Sequence, residues 1–200
     1  MGRWRCVLNS PVRIILVRHG QPAIALRPRT GHREFAAYID AYEAAGLAPS
    51  SLPPGELTDL LRELTAVFAS DRARSHQSAR ALAPAAELIA DPLFAEAPLA
   101  APPIPLLRMR VPKWAVVSRI LWHAGYHPGI ENYRKAKHRA AQACDILIAR
   151  ARRDGGTSAL VAHGYFNAMI GRLLRQRGFR RTGSHRVRYW NAVIYEGHPE

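Results

Sequence analysis

Three apolar runs in this chain each end in residues able to do phosphate chemistry. Arg18-His19-Gly20 follows residues 14–17, Ser70 to Arg74 follows residues 66–69, and His163-Gly164 follows residues 158–162. Arginine carries a fixed fork of donors that matches phosphate oxygens. Histidine titrates near neutral pH and can act as a nucleophile or as an acid–base group. Glycine permits a sharp turn and the close approach of a ligand. A neutral imidazole held between arginines can attack phosphorus in line, and the nearby positive charge keeps it unprotonated. A helix starting after His163 would add backbone donors and a positive dipole end. The same reaction needs a carboxylic acid to protonate the leaving oxygen and then to activate water.

These groups can cooperate only if the strands carrying them lie side by side. Residues 12–17, 66–69 and 158–162 read as short buried strands. Parallel neighbours in one sheet would open their carboxyl ends onto one crevice. Residues 33–45 carry Phe35, Tyr38, Ile39 and Tyr42 at helical spacing, so an amphipathic helix is expected there, its aromatics in the core and Gly46 as its stop. Its place just after Arg-His-Gly also makes it a candidate wall of the site. Residues 57–64 read as a short helix. A helical pattern running through Leu82 follows the second strand, with Ser70 or Asp71 able to cap it and Pro84 starting a new turn or a kink. This places Glu87 in a helix and makes residues 91–96 a brief extended piece. The Pro-rich residues 97–112 suit neither helix nor central strand. Residues 113–124 form a helix with Trp114, Val117, Ile120 and Leu121 on one face. Residues 131–153 form a long helix stopped by Gly155-Gly156. A helix over 166–175 and a strand over 192–195 complete the chain. The order predicts an α/β three-layer sandwich, with a mostly parallel central sheet and helices on both faces. Residues 1–200 fit a single domain, with 21–55 and 97–130 as segments capping a pocket.

Taken together, the motifs resemble those of the histidine phosphatase superfamily, the phosphoglycerate-mutase-like fold. Arg18-His19-Gly20 matches that family's motif at the end of the first strand. Ser70, Arg74, Ser75, Ser78 and Ala79 match its second motif, and His163-Gly164 matches its late one. The resemblance implies that His19 is the phosphorylated nucleophile and that Arg18 and Arg74 bind the phosphate. His163 completes the pocket and stabilises the transferring group. Glu96, after the short extended piece, takes the place of the family's acid. Gln21 stands where many members have Glu and is expected on the substrate side. No metal and no cofactor is implied, because arginines and histidines do the charge work. The chain also departs from the pattern. The family's Gly-Trp-Glu-Gly-like run after the acid is replaced by the Pro-rich segment with Arg108, Arg110 and Lys113, and bulky Tyr165-Phe166 follows His163-Gly164.

Composition narrows the alternatives. The formal net charge is +14, yet only Lys113, Lys135 and Lys137 among the 29 basic residues are lysines, and the basic residues are spread along the chain. This is the pattern of an Arg-rich composition rather than of a nucleic-acid-binding arm, so no nucleic-acid partner is expected. Cys6 and Cys144 exclude a disulfide framework and a cysteine zinc site. No apolar run reaches spanning length, and residues 1–11 read as a polar lead-in rather than a signal peptide. A cytoplasmic protein is expected, with no membrane partner. His123 and His127 are read as a turn pair, and Glu87, Asp91 and Glu131 are rivals to Glu96. The expected activity is metal-independent hydrolysis of a small phosphorylated metabolite through a phosphohistidine. The alternatives are a mutase-like phosphotransferase and a phospho-ligand-binding module without turnover.

Overall fold

Successive residues of the first strand face opposite sides, as the pleat requires. Ile14 and Leu16 enter one core; Ile15 and Val17 enter the other. The computed structural model describes residues 11–25 and 29–198, so the expected lead-in lies outside it except for its last residue. The strands are β1 (Val12–Arg18), β2 (Ala66–Ser70), β3 (Glu87–Asp91), β4 (Thr157–Ala162), β5 (Arg180–Thr182) and β6 (Ala192–Gly197). The helices are α1 (His32–Ala44), α2 (Gly55–Leu61), α3 (Ala73–Leu82), α4 (Val111–His123), α5 (Tyr133–Arg153) and α6 (Gly164–Gln176). The sheet runs β3-β2-β4-β1-β6-β5. β3, β2, β4 and β1 are mutually parallel; β6 is antiparallel to β1, and β5 to β6.

The core is divided by this sheet. On one face, Phe68, Leu160 and Tyr195 pack against Leu147 of α5 and Ile170 of α6. On the other, Val67, Ala69 and Val161 pack against Leu61 of α2 and Leu82 of α3. The expected architecture is thus present, and β2, β4 and β1 bring their carboxyl ends together. No helix among the described residues is long and apolar enough to cross a membrane.

The two irregular excursions are joined to each other. Thr30 and Met109 exchange backbone hydrogen bonds at 2.9 and 3.0 Å. Phe35 of α1 stacks on Trp114 of α4 with ring centroids 5.7 Å apart, and the Trp114 indole donates to the Thr30 carbonyl at 2.8 Å. α4 buries Val111, Trp114, Ser118 and Trp122. The expected face was different: Ile120 is 62% exposed. Both indole N–H groups need acceptors, which they find in Thr30 and in the Glu131 carbonyl, and that sets the helix rotation.

Local expectations fail at several boundaries. Glu87 opens β3 instead of lying in a helix, and residues 92–94 form a single 3-10 turn where an extended piece was expected. β3 is a half-exposed edge strand, so it shows no apolar run. β5 is fully exposed and was not anticipated. Neither Ser70 nor Asp71 caps α3; Arg72 is the cap residue, and its N–H donates to the Ser70 hydroxyl at 3.3 Å. Gly46 directly follows the cap residue Ala45, as expected of a stop, but its backbone is not left-handed. A Cβ on Gly46 would lie 2.9 Å from the Gln77 side-chain oxygen, which accepts from the Leu47 N–H.

Candidate active site

β1 delivers His19 beside the end of β4, where its N–H donates to the Ala162 carbonyl at 2.9 Å. The residue is 1% exposed. Nδ1 lies 2.7 Å from the Gly20 carbonyl, which can only accept, so Nδ1 carries the hydrogen. Nε2 is therefore the lone-pair nitrogen, and it accepts from Nε of Arg74 at 3.3 Å. Gly20 proves necessary for packing: an added Cβ would lie 2.3 Å from the Trp190 ring and 2.6 Å from Leu47. Its N–H donates to the Ser78 hydroxyl at 2.9 Å, and Ser78 donates to the Arg74 carbonyl at 2.6 Å. The serine of the second motif thus ties the first motif to α3.

Arg74 is fully buried in the first turn of α3. All its N–H groups have acceptors: Nε on His19; Nη1 on the Tyr42 and Glu43 carbonyls; Nη2 on the Glu43 carboxylate and on Nδ1 of His163. His163 ends β4 and is the cap residue of α6. Because Arg74 can only donate, Nδ1 of His163 accepts, and its Nε2–H donates to the Ser70 hydroxyl at 2.9 Å. The two imidazole centroids are 5.1 Å apart. Burial, with the Arg74 and Arg18 charges, lowers the His19 pKa from 6.5 to about 3. Burial, then His19 and the arginines, pushes His163 well below its ordinary value. Both rings are held neutral at physiological pH.

Arg18 lies over the Tyr189 ring at 4.8 Å, with its Nε buried and without a protein acceptor. Gly164 admits it: a Cβ there would lie 3.3 Å from Cδ of Arg18. Glu96 reaches the same end of the sheet. Its carboxylate accepts from the N–H groups of Phe166 (2.8 Å), Ala97 (3.0 Å) and Tyr165 (3.2 Å). It thus satisfies the first turn of α6, next to His163. Gln21 is exposed and held by its backbone, its N–H donating to Ser51 Oγ at 2.7 Å and its carbonyl accepting from the Ala48 N–H at 2.8 Å.

The rivals are engaged elsewhere. Glu131 forms a bidentate pair with Arg139, Asp91 accepts from the Leu93 N–H, and Glu87 faces Arg150 across 3.8 Å. Arg72 pairs with Glu43 at 3.0 Å, leaving Arg74 as the inward arginine. His123 meets the Tyr165 hydroxyl rather than His127. Sequence reasoning missed Glu43, Tyr189 and Trp190, and gave Tyr42 to the core. Tyr42 carries the Arg74 guanidinium over its ring at 4.5 Å, and Tyr189 lies 5.9 Å from the His19 ring. The expectation that the first helix walls the site was the available signal for Tyr42; Tyr189 follows an exposed Arg-rich stretch and carries none.

The sheet order, with a histidine closing β1 and another closing β4, defines an α/β protein of phosphoglycerate-mutase-like fold. Residues 14–198 match the model of the histidine phosphatase superfamily (branch 1), and the chain belongs to that family. Its structure is similar to mycobacterial hydrolase 1 (16% identity, TM-score 0.63, covering 94% of this chain and 93% of that one). It is similar also to phosphoglycerate mutase from Bacillus anthracis str. Sterne (13%, 0.61, 94% and 90%). The ecdysone phosphate phosphatase from Bombix mori in complex with tungstate is a further relative in fold (13%, 0.55, 92% and 88%). No curated protein matches the chain in sequence.

Proposed function

We propose that this chain is a metal-independent phosphomonoester hydrolase acting through a phosphohistidine at His19. The observation that carries this reading is the tautomer of His19. The Gly20 carbonyl holds Nδ1–H, so the free lone pair sits on Nε2 in the space shared with Arg74 and His163. A phosphoryl group entering there takes the Arg74 donors now spent on the two imidazoles, together with Arg18. Nε2 attacks phosphorus as the ester P–O bond breaks, and Glu96 gives its proton to the leaving oxygen. Water then attacks the phosphohistidine, Glu96 takes back a proton, and phosphate leaves with His19 restored. The substrate is a small phosphorylated metabolite.

Phosphate release from a panel of phosphomonoesters, with EDTA present, tests this reading. Wild type should release phosphate and His19→Ala should not; turnover in a well-folded His19→Ala variant would sink the mechanism. A second reading, a phospho-ligand-binding module without turnover, is favoured by one observation: both oxygens of Glu96 are taken up by backbone N–H groups. Vanadate binding with no hydrolysis of any ester would select it.

A further inference from the structure

Trp190 has a φ of +59°, a left-handed conformation that is a genuine outlier for a bulky side chain. Such residues persist only where the surroundings over-determine them, and here they do. The Trp190 N–H faces the His19 carbonyl at 3.4 Å, and its indole N–H donates to Ser51 Oγ at 3.0 Å. Its ring fills the space that a side chain on Gly20 would need. The next residue, Asn191, accepts at its carbonyl from the Arg18 N–H at 2.9 Å. The segment entering β6 is therefore stitched to both residues of the Arg18-His19 pair.

The residue this arrangement presents is Tyr189. Its ring lies against the Arg18 guanidinium at 4.8 Å and beside His19 at 5.9 Å. Arg18 needs such a support. Whereas Arg74 has an acceptor for each N–H group, Nε of Arg18 is buried with none. A guanidinium held by a ring face keeps its in-plane donors free for an incoming oxyanion.

We propose that Tyr189 and Trp190 form a positioning device for Arg18: the strained Trp190 backbone sets the Tyr189 ring against the guanidinium and fixes its donors toward a bound phosphoryl group. The proposal rests on reading the site as a phosphate pocket, but not on turnover. Tyr189 acts through Arg18 and is a positioning residue.

Orthovanadate affinity of the full-length chain, measured by calorimetry, tests it in a double-mutant cycle. Tyr189→Leu should weaken binding about tenfold, the size of a partly desolvated cation–π contact. Tyr189→Phe keeps the ring and should restore binding to within about threefold of wild type. In an Arg18→Ala background, Tyr189→Leu should change affinity by less than about twofold, because the group it acts through is gone. Trp190→Gly, which relaxes the backbone and removes the indole, should weaken binding as Tyr189→Leu does and spares the test if the leucine variant does not fold. Equal losses in both backgrounds overturn the proposal, as does a Tyr189→Phe loss as large as that of Tyr189→Leu. Wild-type affinity in Trp190→Gly overturns it as well. Vanadate binding by wild type without ester hydrolysis overturns the hydrolase reading alone; no vanadate binding overturns both.

Discussion

Nε of Arg74 donates to Nε2 of His19 at 3.3 Å, so the lone pair proposed to attack phosphorus is already pointed at the group proposed to hold the phosphate. That donation, with the Gly20 carbonyl on Nδ1, keeps the imidazole in one orientation. The same guanidinium reaches His163 and three oxygens of the Tyr42-Glu43 pair.

Arg74→Lys should therefore fail even though the charge is kept. An ammonium offers a compact cluster of donors and cannot span acceptors on opposite sides of a buried fork. The expected loss in kcat/KM is at least about 10²-fold, the scale for removing one preorganised donor. The acceptors left unpaired should also lower stability by about 1–3 kcal/mol. Steady-state kinetics beside urea unfolding measure both; a Lys variant within threefold of wild type would show that the fork is dispensable.

The two buried histidines give the fold an acid-side weakness. In the unfolded chain each imidazole takes up a proton near pH 6.5, whereas in the folded chain His19 resists protonation to about pH 3, and His163 is likewise well below 6.5. The unfolded state binds more protons throughout that window, so stability falls as pH drops below 6.5. The slope is about 1.4 kcal/mol per pH unit for each histidine. Urea unfolding at pH 7 and pH 5 should show this loss, and His163→Gln should reduce it. A loss identical in wild type and His163→Gln would remove the assignment.

Much of this arrangement was legible in the sequence, for a physical reason. β1, β2 and β4 are buried on both faces, so they read as continuous apolar runs, and their polar ends stand out. Arg18, His19 and His163 could be found because each sits beside such a run; Arg74, four residues past β2, was set apart from Arg72 by the spacing of its motif. β3 and β5 lie at the sheet edges, half-exposed and exposed, and carry no comparable pattern. The rotation of α4 was misread because apolar residues occur around the whole helix; indole hydrogen bonds to distant carbonyls decide it. Tyr189 and Trp190 were invisible for a different reason. Their importance comes from a left-handed backbone and from contacts with residues more than a hundred positions away, which no local pattern encodes.

Glu96 can be separated into chemical and structural parts. Glu96→Gln places a donor where the carboxylate accepts from backbone N–H groups, so a stability loss of about 0.5–2 kcal/mol is expected, as for loss of a helix cap. If Glu96 also protonates the leaving group, the variant should lose about 10²–10⁴-fold on alkyl phosphates and far less on p-nitrophenyl phosphate, whose leaving group needs no proton. Equal losses on the two esters would leave Glu96 with the structural part alone.

Gly164 poses stability against binding. It is the first residue of α6, and an added Cβ would lie 3.3 Å from Cδ and 3.4 Å from Nε of Arg18. Alanine is the better helix former by up to about 1 kcal/mol, so Gly164→Ala should melt no lower than wild type. Contact with the new methyl shifts a guanidinium that has little else at Nε to hold it. Vanadate affinity should therefore fall several-fold while the melting temperature holds or rises. A variant that loses stability yet binds vanadate as wild type does would mean that Arg18 moves freely and the close approach serves the fold rather than the site.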